Sequence, residues 1–170
     1  MSNATLREIR PERPADVVAI DAVLRAAFPG AAESNLVRRL RADGDLALSL
    51  VADEGGAIIG HIAFVPIALN PDPGYRVWGL APLAVLPDRQ GQGIGSALIR
   101  RGIGDAKNAG VGLLLVLGDQ NYYGRFGFET MLAAEIDVAW AGPHFAGLAL
   151  IDCAPPNAKA IYPTAFSALG

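Results

Sequence analysis

Apolar residues at Val17, Ile20, Val23, Leu24 and Phe28 recur every three or four positions, so the chain predicts a helix over 13–28 with one buried face. Pro29-Gly30 ends it. Leu36, Val37 and Leu40 predict a second, shorter helix over 33–41, closed by Asp43-Gly44. The pattern then turns strand-like. Residues 46–52 and 57–69 read as two strands joined by the turn Asp53-Glu54-Gly55-Gly56. A second turn, Asn70-Pro71-Asp72-Pro73-Gly74, leads to a strand over 75–86 that is apolar on both sides: Val77, Ala81, Leu83 and Val85 alternate with Trp78, Leu80, Ala84 and Leu86. Such a strand belongs in the middle of a covered sheet. Pro82 conflicts with that place, because proline lacks the N–H a central strand uses; the strand either breaks or bulges there.

Beyond it, Ile94, Leu98, Ile99 and Ile103 mark the inner face of a helix over 94–109. The run LLLVL at 113–117 reads as a short buried strand, and 118–129 as a turn with at most one helical turn. Further strand-like runs lie at 145–151 and 158–162, and a short one at 5–10. Hairpins come first and one strand–helix–strand crossover comes late. This order predicts an α/β fold, a mixed sheet with helices on both faces, in a single domain over 1–170.

Composition narrows the function. Hydrophobic residues make up 52% of the 170 and charged ones 18%, the balance of a folded chain with a core. The net charge of −3 argues against a nucleic-acid partner, which needs a basic face. No apolar run approaches the roughly 20 residues that span a bilayer, so no membrane partner is expected. MSNATLREIR lacks the apolar core of a secretion signal, and the pattern Asn3-Ala4-Thr5 is then a chance match to a glycosylation site. The lone Cys153 cannot form an internal disulfide. A cytoplasmic location is the expectation. No metal site is expected.

The chemistry concentrates in RQGQGIGS, 89–96, between the double-sided strand and the helix. Three glycines in five residues expose backbone N–H groups at the positive end of a helix, a place for phosphate oxygens. A triphosphate-binding loop would carry lysine before its Ser/Thr; here Gly95 meets Ser96 directly. A dinucleotide fingerprint would space its glycines G-x-G-x-x-G; Gly91, Gly93 and Gly95 are spaced G-x-G-x-G. The plain alternative is a loop whose glycines only permit a tight turn.

Two motifs in order decide among these. Gln90-x-x-Gly93-x-Gly95, preceded by Leu83-Ala84-Val85-Leu86-Pro87, resembles the acyl-CoA loop of the GNAT superfamily of N-acetyltransferases. Tyr123-Gly124-Arg125-Phe126-Gly127-Phe128 is similar to that family's Tyr-x-x-x-Gly-Phe element, and the stretches LAPLAVLPDRQGQGIGSAL and GDQNYYGRFGFE are most similar to its bacterial YhbS-like branch. The resemblance implies a GNAT-like fold and acetyl-CoA as donor to a primary amine on a small-molecule or peptide acceptor. It implies that Gln90, Gly91, Gln92, Gly93, Ile94, Gly95 and Ser96 hold the pyrophosphate, and that a side chain at Gly93 or Gly95 would block it. It places the pantetheine arm along Leu83, Ala84 and Val85, in a gap that Pro82 helps to open. Leu83 N–H is then the donor to the thioester oxygen, and Tyr123 both contacts the donor and protonates the departing sulfur. Tyr122 is expected in the core. The asparagine that often touches CoA has no clear counterpart among Asp119, Gln120 and Asn121. Glu33, His61 and His144 are candidates for a general base, and none stands out. The two early helices and the last loops, including 141–145, are expected to select the acceptor, and relatives are often dimers, so a homodimer is an expectation. Two other classes make distinct predictions: a non-catalytic acyl-CoA sensor binds the donor without turnover, and a nicotinamide oxidoreductase binds NAD and not CoA.

Overall fold

A computed structural model describes residues 7–169 of the chain. Strand β1 (Arg7–Pro11) leads through a 3-10 turn, Pro14–Asp16, into helix α1 (Val17–Ala27). Thr5 and Leu6, expected in the first strand, lie outside the described residues. The entry to α1 is tied down by charge. Buried Asp16 accepts from the Arg13 backbone N–H at 2.7 Å and from the Arg10 guanidinium at 2.7 and 3.0 Å. The Arg10 side chain holds the Asp16 carboxyl down at about 2. The helix expected over 13–28 is therefore a 3-10 turn followed by an α-helix.

Helix α2 (Ala32–Asp43) ends on Gly44, whose φ of 76° is the left-handed cap that glycine adopts without strain. Strands β2 (Leu48–Glu54), β3 (Ala57–Asn70) and β4 (Arg76–Val85) follow, then α3 (Ile94–Asn108), β5 (Val111–Leu117), the single turn α4 (Gln120–Tyr123) and strands β6 (Ile136–Asp137), β7 (Phe145–Ala149) and β8 (Ala158–Ile161). Sequence periodicity did not reveal β6, which has only two residues, or the 3-10 segment Thr164–Leu169.

The main path of the sheet runs β1-β2-β3-β4-β5-β7, with β8 joined to the far end of β3 and to β6. Only β4–β5 on the main path is parallel, the pair that α3 connects. Helix α3 covers one face, setting Leu98 and Ile99 among Phe64, Leu80 and Val116. Gly102 permits the close approach: a Cβ there would sit 2.5 Å from the Phe64 ring. On the other face α1 brings Ile20, Val23 and Leu24 against Val51 and Ala84, while α2 sets Leu36 and Leu40 among Val65 and Ile67. Truncating a core side chain such as Leu98 to alanine costs about 2–5 kcal/mol.

The conflict at Pro82 resolves as a bulge. Ile62 pairs with Leu83 and Phe64 with Leu80, so Ala81 and Pro82 together oppose the single residue Ala63. The pairing of β4 with β5 stops at Leu80–Val116, whereas β5 stays paired with β7 as far as Leu117–Phe145. Past the bulge β4 has lost its neighbour on one edge, and the sheet opens there.

Candidate active site

Strand alternation fixes what that open edge presents. The Leu86 N–H donates to the Ile59 carbonyl at 2.9 Å, so it points toward β3. Successive N–H groups of a strand point to opposite edges. The Ala84 N–H therefore also faces β3, while the Leu83 and Val85 N–H groups face the gap. The Val85 carbonyl lies on the gap edge too, where the Gln90 side-chain amide donates to it at 3.1 Å. Leu83 and Val85 thus offer backbone groups to the gap. Ala84, expected beside them, turns its N–H away and buries its methyl under α1.

The glycine loop closes the end of the gap. Gly91 and Gly93 have φ of 77° and 81°, a backbone region that disfavours other residues. Gly93 caps α3, so the helix's unpaired N–H groups and its positive end meet the cleft. Nothing lies within 4 Å of a Cβ built at Gly91 or Gly93 in the protein itself, whereas one at Gly95 would stand 2.9 Å from the Tyr122 hydroxyl. Gly91 and Gly93 are therefore required by the turn, and Gly95 by its approach to Tyr122.

A cleft of about 480 Å³ results, lined by Leu83, Val85, Gln90, Gly91, Gly93, Ile94, Gly95 and Ser96, all expected from the sequence, and by Arg89, Tyr122 and Arg125, which were not. Gln92 and Tyr123 are not among the lining residues; the Gln92 side chain accepts from Arg7 at 3.3 Å instead. Tyr122, expected in the core, stands on the wall. Its ring lies edge-on to Phe126, with centroids 5.5 Å apart, and the Arg125 guanidinium sits 4.8 Å from its centre. Such stacking holds the Arg125 charge at the cleft rim. Arg125, and Arg89 with its guanidinium 3.6 Å from a Glu54 carboxylate oxygen, thus place two cations at a cleft headed by helix N–H groups, in a chain of net charge −3. That is an environment for a polyphosphate.

Tyr123 packs beside Tyr122 in the same helical turn. Its ring packs on Gly118, where a Cβ would come 2.5 Å from it, and stands edge-on to Tyr122 and Phe128 at 5.1 and 5.8 Å. Burial pushes its phenol up to about 12, with the Tyr122 phenol adding to the shift, so it remains protonated at neutral pH. Asp119 and Gln120 build the turn that carries it. The Asp119 carboxylate accepts from the Asn121 N–H at 2.9 Å, and the Gln120 amide donates to the Phe128 carbonyl at 2.7 Å.

The two histidines separate. His144 is exposed, in a loop whose backbone carbonyl accepts from the Gly118 N–H. His61 is fully buried, opposite Ala84 across β3–β4. Its Nε2 lies 2.8 Å from Ser49 Oγ, and burial holds its imidazole down at about 4.

A parted pair of parallel strands, a bulged donor strand and a glycine loop at a helix N-terminus define an acyl-CoA-binding N-acyltransferase architecture. The family model for the GNAT acetyltransferases matches residues 17–128. The chain belongs to that family, and it is an acyltransferase by fold and kinship. It is 41% identical over 135 residues to the protein named uncharacterized N-acetyltransferase YhbS of Escherichia coli K12, spanning 79% of this chain and 80% of that one. Among solved structures, Escherichia coli YhbS in complex with CoA superposes with a TM-score of 0.90 at 35% identity, covering 100% of this chain and 97% of that one. A GNAT family acetyltransferase from Brucella melitensis in complex with acetyl-CoA gives 0.81 at 38% identity, covering 95% and 99%. Among the described residues no helix is long and apolar enough to cross a membrane.

Proposed function

We propose that the protein, with its 170 residues working as one domain, transfers the acetyl group of acetyl-CoA to a primary amine by direct attack on the thioester. The observation that carries this reading is the parting of β4 from β5 after Leu80, which leaves the Leu83 and Val85 backbone groups facing a gap that leads to the glycine loop. Acetyl-CoA supplies the activated acyl group. The cleft fits it in kind: N–H groups of the Gly93-capped helix and the Arg89 and Arg125 guanidiniums suit the phosphates, and the strand edge suits an amide-bearing arm.

In this reading Gly91, Gly93, Gly95 and Ser96 bind the pyrophosphate through the backbone. The Leu83 N–H donates to the thioester oxygen as negative charge develops on it. Tyr123, protonated at neutral pH, gives its proton to the sulfur as the carbon–sulfur bond breaks. The neutral amine forms the new bond to carbon and gives up one proton to solvent, and solvent returns a proton to the Tyr123 phenolate, so CoA departs as the thiol and the enzyme is regenerated. The neutral product then leaves.

The experiment is thiol release: protein, acetyl-CoA and an amine panel, with free CoA followed by a thiol reagent. Amine-dependent release supports the transferase. Saturable CoA binding with no release on any amine overturns it in favour of an acyl-CoA sensor.

A further inference from the structure

Three aromatic side chains gather on the sheet face opposite α3. Tyr162 reaches over β4, where a Cβ built at Gly79 would come 3.4 Å from its Cε1. Gly79 directly precedes Leu80, the last residue of β4 that pairs with β5, so this ring stands where the gap begins. Trp140 packs edge-on to Tyr162 at 4.7 Å between centroids, and Phe166 lies 5.1 Å from Tyr162 and 6.3 Å from Trp140.

Helix α2 brings a carboxylate to the same side. Glu33, Leu36 and Leu40 stand at i, i+3 and i+7, one face of the helix. Leu36 and Leu40 belong to the hydrophobic cluster against which Trp140, Tyr162 and Phe166 pack. The Oε2 of Glu33 is buried, and no hydrogen-bond partner for it occurs among the described residues. A buried carboxylate oxygen left without a donor is costly, and the natural remedy is a cationic N–H. Aromatic faces attract the same kind of group. The CoA cleft opens at the α3 end of the gap, so an acceptor has the opposite face left to it.

We propose that this wall, Glu33 with Trp140, Tyr162 and Phe166, selects acceptors that carry a second positive charge, holding an ammonium or guanidinium while the reacting amine enters the gap. This rests on the transferase reading above. The held group keeps its proton. The second amine, close to a fixed cation, loses its own more readily and attacks as the neutral base.

The test compares linear diamines, from diaminopropane to diaminooctane, with n-alkylamines of matching length in the thiol-release assay, for the native protein and Glu33→Gln. At least one diamine is expected to exceed its matched monoamine by about tenfold or more in kcat/KM, the effect of one charge-assisted contact. Glu33→Gln is expected to erase that advantage by raising the diamine KM about tenfold while leaving the acetyl-CoA KM unchanged. Diamines no better than monoamines, or a diamine preference intact in Glu33→Gln, would overturn the acceptor proposal alone. No release with any amine overturns the transferase reading and this proposal with it.

Discussion

Ser49 Oγ stands 2.8 Å from His61 Nε2 and also bonds a Glu12 carboxylate oxygen. The hydroxyl has one proton, and the carboxylate, itself bound by Arg41 at 3.0 and 3.1 Å, can only accept. The imidazole therefore donates through Nε2, and its buried Nδ1 has no hydrogen-bond partner among the described residues. The network fixes which nitrogen donates; burial, acting against the nearby Glu12 charge, keeps His61 neutral.

This has a consequence for stability against pH. The His61 value is about 4 in the folded protein and 6.5 for the free side chain. Between those values the unfolded chain binds the extra proton, so stability is complete above about pH 6.5 and falls as pH drops toward 4. The loss attributable to His61 is about 3 kcal/mol across that window. Denaturant melts at stepped pH will read it, and His61→Asn is expected to flatten the slope between pH 6.5 and 4. An unchanged slope in that variant would assign the window to other groups.

The two adjacent tyrosines should separate kinetically. Tyr123→Phe is expected to lower kcat by ~10²–10⁴ with the acetyl-CoA KM unchanged, as loss of a general acid does. Tyr122→Phe keeps the ring on the cleft wall and should change kcat by less than about threefold. Because burial holds the Tyr123 phenol at about 12, activity should show no falling limb from this group below about pH 10. Equal, small effects of the two variants would reduce Tyr123 to packing.

Gly93 tests the loop. With φ at 81° and no neighbour within 4 Å of an added Cβ, Gly93→Ala carries only the backbone penalty, about 1–2 kcal/mol. Gly93→Glu adds a carboxylate at the helix N-terminus and is expected to reduce CoA affinity by about a hundredfold or more, with circular dichroism unchanged. Native CoA affinity in Gly93→Glu, measured by calorimetry, would remove the loop from the site.

Arg125 tests the rim. Arg125→Ala is expected to weaken CoA binding by roughly tenfold and to reduce its salt dependence. Arg125→Lys should recover only part of the affinity, since ammonium does not stack on Tyr122 as the planar guanidinium does. Full recovery with lysine would show that charge alone matters.

The elements legible in the sequence were those with strong local signals. The amphipathic stripes of α1, α2 and α3 and the double-sided pattern of β4 each needed only neighbours within one element. Pro82 announced an irregularity, but whether it broke or bulged the strand depended on Ala63 across the sheet. The loop was legible because glycine at positive φ is a local demand. Tyr122 and Arg125 on the cleft wall were not, because an adjacent tyrosine pair gives no indication of which ring faces α3. The Glu12–Ser49–His61 chain joins the loop after β1 to the hairpin of β2 and β3, and no spacing rule reaches it. Strand β6, two residues long, is specified by its partner β8 and not by its own pattern.

The opened edge of β4 is tested most directly by amide hydrogen exchange, followed residue by residue by NMR, with and without CoA. Leu83 and Val85, whose N–H groups face the gap, are expected to exchange readily in the free protein and to become protected on CoA binding, together with Gly91, Gly93, Gly95 and Ser96. Their neighbour Ala84, already turned toward β3, should be protected in both states. CoA-dependent protection that leaves Leu83, Val85 and the glycine loop unchanged and falls elsewhere on the molecule would contradict that reading of β4.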